Sequence, residues 1–119
     1  MTRLGLQALD VERVERTLRR LALNDERYLR SAVADPGSWS DLDVKTQALI
    51  RLGSLLSIGA PTVSLRCTVE LAAAAGASEE EIVGVLLAIA PAVGHARVVG
   101  VAPHLGLALG YDFDGEEQT

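Results

Sequence analysis

The sequence is poor in cysteine, in aromatic residues and in positive charge, and each shortage counts against a class of protein. Cys67 is the only cysteine among 119 residues, which excludes a disulfide framework, a CxxC redox pair and a cysteine-based zinc site within one chain. Aromatic residues make up 3% of the chain, so close-packed helices are favoured over an aromatic-rich sheet or a base-stacking surface. Sixteen acidic residues against eleven basic ones give a net charge of −5, which argues against nucleic acid as a partner.

Long uninterrupted apolar runs are also missing. The N-terminus reaches charged residues within a few positions, without the apolar core of a secretory signal. The thirty residues from Ile82 to Tyr111 carry a single formal charge, on Arg97. Prolines, Gly94 and two histidines interrupt them before the roughly 20 consecutive apolar residues of a membrane span accumulate. We therefore expect a cytoplasmic protein with no membrane span.

The nearly uncharged stretch also predicts self-association. A helix that is apolar on all sides must be covered by other protein atoms. A chain of 119 residues forms a single small domain with little interior in which to bury two such helices. We therefore expect these helices to be buried in a homo-oligomer.

The residues that are present follow helical periodicity, with no alternating strand pattern and no repeats. We predict an all-α fold of about six helices, over residues 10–21, 24–33, 41–58, 62–75 and 78–93, with a sixth that reaches Leu109. The predicted third helix starts at Ser40 or Asp41, and Pro91 and Pro103 bend the last two. Ser78 and Glu81 form a capping box at the start of the fifth helix.

Breaks in the pattern divide the chain into three parts. The sequence from Asp35 to Ser38, which contains Pro36 and Gly37, separates an N-terminal helical arm (1–39) from a helical domain (40–111). Residues 112–119 form an acidic tail that lacks the spacing and flanking helices of a calcium loop. His95 and His104 do not have the spacing of metal ligands on a helix, so we predict neither a metal site nor a cofactor.

Residues 42–50 (LDVKTQALI), 72–82 (AAAAGASEEEI) and the turn at 92–94 resemble the carboxymuconolactone decarboxylase and alkylhydroperoxidase-D-like superfamily. The most specific segment is 76–82, and the resemblance covers about residues 40–110. It implies an all-helical subunit that assembles into dimers, trimers or hexamers.

The chain departs from the catalytic patterns of that superfamily. The peroxidase branch has CxxC, a histidine four residues later and a glutamate about a dozen residues before the first cysteine. Counted from Gly76 and Lys45, the four positions hold Pro61, Ser64, Thr68 and Ala48. CxxC peroxidase activity is therefore not expected. The decarboxylase branch keeps a histidine near the position of Thr68, and its absence counts against lactone decarboxylation.

Six side chains are candidates for a site. His95 and Glu70 are candidate proton carriers, and Cys67 is a candidate thiol. The candidates for binding a substrate acid are Arg66, Arg97 and His104. Arg97 and His104 are seven residues apart and share a helix face.

Each candidate also has a plainer structural interpretation. Cys67 can be a small buried apolar side chain, and Arg66 and Glu70 a surface ion pair. Arg97 can form a salt bridge at a subunit interface, and the histidines can make structural hydrogen bonds.

Three functions remain open. The first is a decarboxylase-like protein that binds a small organic acid or hydrophobic metabolite between the fourth and sixth helices or between subunits, with lyase or isomerase chemistry if it is an enzyme. The second is a non-catalytic oligomeric interaction or scaffold module. The third is a one-cysteine alkylhydroperoxidase-like antioxidant that uses Cys67.

Overall fold

The computed structural model describes residues 8–34 and 42–112, which form six helices in two compact units, residues 1–41 and 42–119. The first unit contains α1 (Ala8–Ala22) and α2 (Glu26–Ala34). The second contains α3 (Val44–Ser57), α4 (Thr62–Ala74), α5 (Glu79–Val93) and α6 (His95–Ala108).

The predicted all-α class is confirmed, since the described ranges contain six helices and no strand. None of the helices in these ranges is long and apolar enough to cross a membrane. Helix α3 begins at Val44 with Asp43 as its N-cap, later than predicted, while Ser40 and Asp41 lie outside the described residues. The acidic tail after Asp112 also lies outside them.

In the N-terminal unit, polar contacts join two helices that bury little. The Asp25 carboxylate accepts a hydrogen bond from the backbone N–H of Tyr28 (3.1 Å) and so satisfies a free donor in the first turn of α2. The Arg20 guanidinium lies 5.2 Å from the centre of the Tyr28 ring. No side chain from 11 to 33 is fully buried, and Leu18, Leu23 and Val33 are exposed.

The core of the second unit is aliphatic and draws one stripe from each of its four helices. Helix α3 packs against α4 and α5, and α6 packs against the same two helices. The side chains that are fully buried at the centre are Leu52, Leu56, Leu65, Ile82 and Val101. Close packing extends to backbone level, because a Cβ at Gly53 would lie 3.2 Å from Val85 Cγ1.

Caps and one ion pair fix the starts of α3 and α5. The Asp43 carboxylate accepts the backbone N–H of Thr46 (2.7 Å). The predicted capping box is confirmed: Ser78 Oγ accepts the Glu81 N–H (3.0 Å), and the Glu81 carboxylate accepts the Ser78 N–H (2.9 Å). Lys45 Nζ lies 2.9 Å from the other oxygen of Glu81 and joins the two helix starts.

This cluster predicts a pH-dependent contribution to stability. The hydrogen bond from the Ser78 N–H, followed by that from Lys45, lowers the pKa of Glu81 below its usual value. A lowered carboxyl pKa stabilises the fold above the unfolded-state pKa, and the effect is lost as the pH falls through the folded value. Glu81→Gln should therefore be less stable than the unmodified protein at neutral pH, and the difference should vanish in acid. Urea unfolding at a series of pH values measures this difference in the free energy of unfolding.

Glu70→Gln is the matched control, since it removes the same charge from an exposed position of α4. Its free energy of unfolding should stay close to that of the unmodified protein across the series. An equal loss in both variants would show that the network at Ser78 and Lys45 contributes nothing.

Candidate functional site

An open groove of about 980 Å³ runs between α5 and α6, and we call it the α5–α6 groove. Val83 and Leu87 line it from α5, and Val99 and Pro103 line it from α6. These residues are four apart on their helices, so each pair lies on one face. Leu87 is 67% exposed and Val99 is 58% exposed, and the groove is therefore an apolar surface that the helices of the second unit leave uncovered.

A hydrogen bond closes one end of the groove and shows how its two helices run. Tyr111, just after α6, donates from its hydroxyl to Glu79 Oε1 at the start of α5 (2.7 Å). The C-terminal end of α6 therefore meets the N-terminal end of α5, and the two helices form an antiparallel hairpin through Gly94. Glu79, Glu80 and Tyr111 line this end, which we call the acidic end.

The chemistry of the groove is apolar with an acidic end. Among the described residues that line it, none carries a positive charge. An organic acid would meet Glu79 and Glu80 there and no cation, so the groove does not suit a substrate carboxylate. It suits apolar groups, with hydrogen-bond donors or a cation at the acidic end.

Three of the six predicted site residues lie together on α4, outside this groove. Arg66, Cys67 and Glu70 are all exposed. The interpretation of Cys67 as a buried side chain is therefore wrong for the subunit, because that position of α4 faces away from the core. Within residues 42–112 no ion pair joins Arg66 and Glu70, although they are four residues apart.

Arg97 and His104 both reach the connection between α3 and α4. Nδ1 of His104 lies 3.0 Å from the Thr62 hydroxyl, at the start of α4. A Cβ on Gly59 would collide with the Arg97 guanidinium, so this side chain lies against the Gly59 backbone. Both contacts follow from the spacing of seven residues, which gives the two side chains one face of α6.

His95 stands apart from the other candidates. It is the first residue of α6, is exposed, and follows Gly94, whose φ of 92° only glycine adopts readily. The six candidates thus form an α4 trio, a pair at the α3–α4 connection and a single histidine. None of the six is among the residues that line the α5–α6 groove.

The part of the chain that the structure describes holds no group of three or more His, Cys, Asp or Glu side chains that could bind a metal ion. No family model, no curated protein and no solved structure matches the chain.

Sequence reasoning identified the region of the groove but not the groove itself. The near-absence of charge between Ile82 and Tyr111, where only Arg97 is charged, marked both helices as unusual. Helical spacing places residues 83 and 87 on one face of α5, and 99 and 103 on one face of α6, but it does not show that these faces are exposed. The bond between Tyr111 and Glu79, 32 residues apart, carries no sequence signal.

The contact between Arg97 and Gly59 predicts an energetic coupling. Gly59 has φ +70°, so Gly59→Ala strains the backbone and also places a methyl group against the guanidinium. We expect a loss of about 1–2 kcal/mol in the free energy of unfolding. The loss should be smaller in an Arg97→Ala background, by about 0.5 kcal/mol or more. A double-mutant cycle by urea unfolding measures the coupling.

Gly76→Ala is the control for backbone strain alone, since Gly76 has φ +101° and no atom lies within 4 Å of its added Cβ. Its effect should add to that of Arg97→Ala. Full additivity for Gly59→Ala as well would contradict the contact.

Proposed function

We propose that the chain is a carboxymuconolactone decarboxylase-like helical subunit whose role is assembly, and that it associates with further copies of itself through the α5–α6 groove. The observation that carries this proposal is the uncovered apolar surface at Leu87 and Val99 on neighbouring helices. We place this assembly in the cytoplasm.

The physical basis is the cost of leaving apolar surface in water. Burial stabilises by roughly 25 cal/mol per Å² of apolar area, and contiguous exposed patches of this kind mark interaction sites. The second unit cannot supply the cover from its own core, because the stripes around Leu52, Leu65 and Val101 are already buried against one another. A second copy presents the same apolar groove and supplies that cover without any further partner.

The positions of the candidate catalytic groups favour assembly over chemistry in the groove. His95, Glu70 and Cys67 are exposed and none lines it. Decarboxylase, lyase or isomerase activity on a small organic acid, and peroxide reduction by Cys67, therefore remain predictions that no contact within residues 42–112 supports.

A second candidate function is the binding of an apolar small molecule in the same groove. Its volume of about 980 Å³ lies within the range of small-molecule sites, roughly 300–1,000 Å³. The open side of the groove and the lack of convergent polar groups make this the weaker of the two.

Leu87→Glu tests the assembly. A charge in the middle of the interface loses the apolar contact and must be desolvated, which costs about 1.5–3 kcal/mol or more per contact. We expect the dissociation constant to rise at least about tenfold. Sedimentation equilibrium measures the change, and circular dichroism should show an unchanged helix content because Leu87 is exposed in the subunit.

Leu71→Glu is the matched control. Leu71 is 60% exposed on α4 and does not line the groove, so the same substitution there should leave the dissociation constant unchanged. Dissociation by Leu71→Glu with no effect of Leu87→Glu would refute the proposal, and so would a monomeric unmodified protein.

The neutral apolar dye Nile red tests the second candidate. A ligand site binds the dye at every protein concentration, with an affinity about tenfold lower in Leu87→Glu than in Leu71→Glu. Assembly predicts that dye fluorescence per subunit falls as the protein concentration rises, because a second copy then covers the groove.

A further inference from the structure

We propose that two copies of the chain pack groove against groove about a two-fold axis in an antiparallel orientation, so that the acidic end of each copy lies over the N-terminus of α6 in the other. This rests on the proposed function, and it adds the partner's orientation and the polar contacts that select it.

The two ends of the groove differ in charge. Glu79 and Glu80 occupy the acidic end, where α5 begins. At the opposite end α5 finishes and α6 begins, and the sequence from Ile82 to Tyr111 contains no carboxylate. The groove therefore has an electrostatic polarity along its length.

His95 lies about one helical turn beyond the α6 residues that line the groove, towards that opposite end. It precedes Val99 by four residues and Ala102 by seven, so all three lie on one stripe of the helix. The first N–H groups of α6 are also available to a partner, because Gly94 provides no side-chain cap. An exposed imidazole and the positive end of a helix dipole together favour a carboxylate at this position.

A stripe of residues on α5 repeats the intervals of the stripe on α6, but it begins with a carboxylate where the α6 stripe begins with an imidazole. Glu80, Gly84, Leu87 and Pro91 follow one another at four, seven and eleven residues. The α6 stripe of His95, Val99, Ala102 and Gly106 repeats these intervals. Each stripe is about 17 Å long at 1.5 Å per residue.

Two-fold symmetry then leaves two orientations, and charge distinguishes them. A face packed on a copy of itself uses the same residues on both sides. In a parallel orientation the two acidic ends meet, which brings Glu79 and Glu80 of both copies together at a cost in repulsion. In the antiparallel orientation each acidic end faces His95 and the free N–H groups of α6 in the other copy, and this occurs twice.

Charge reversal at the two ends tests the orientation. We expect His95→Glu and Glu80→Lys each to raise the dimer dissociation constant about tenfold at low ionic strength, and less in high salt. The double variant His95→Glu/Glu80→Lys should recover most of the affinity, because both contacts are exchanged together.

The parallel orientation brings like residues of the two copies together and therefore predicts no recovery of affinity in the double variant. It would pair the unmodified chain with Glu80→Lys better than either pairs with itself, and that outcome would overturn the proposal. The orientation would also be refuted if the charge variants left the dissociation constant unchanged while Leu87→Glu still dissociated the protein. That result would leave assembly through the groove supported. If Leu87→Glu has no effect, the proposed function and the orientation both fall.

Discussion

The second unit depends on one constraint: each of its four helices buries a single aliphatic stripe against the other three. Leu52, Leu65 and Val101 lie at the centre, and each is at most 2% exposed. Each stripe occupies one side of its helix, so the opposite sides must face water or another molecule. Exposed apolar side chains occur on those sides of all four helices, for example Ile50 on α3 and Leu71 on α4, but α3 and α4 also carry Arg51, Arg66 and Glu70 there. On α5 and α6 the exposed Leu87 and Val99 lie on neighbouring helices and line the groove together.

Two prolines leave backbone carbonyl groups on these helices without their helical hydrogen bond. Pro91 and Pro103 lie inside α5 and α6 but cannot donate the backbone hydrogen bond that the carbonyls of Leu87 and Val99 would otherwise accept. Both prolines are exposed, so water or a partner can reach the freed carbonyls. The apolar surface of the hairpin therefore carries backbone acceptors, and in the proposed dimer the imidazole of His95 from the second copy is a donor that would complement them.

Local signals in the sequence predicted the parts of the fold that depend on residues three to seven apart. The capping box at Ser78 and the shared face of Arg97 and His104 are examples, since both follow from helix geometry alone. The exposure of Cys67 and the bond between Tyr111 and Glu79 depend on how whole helices pack, which spacing does not determine. The candidate residues were chosen by chemical type, and the fold distributes them over three places instead of one.

The small size of the second unit links its stability to the proposed association. Small domains bury a smaller share of their surface than large ones and are correspondingly marginal. Within residues 42–112 twelve aliphatic side chains form the core, while Leu87 in the groove is two-thirds exposed. In the proposed assembly, binding of a second copy would stabilise the folded subunit in proportion to the logarithm of protein concentration above the dissociation constant. The proposed assembly would therefore add folding stability by covering the two nearly uncharged helices that form the groove.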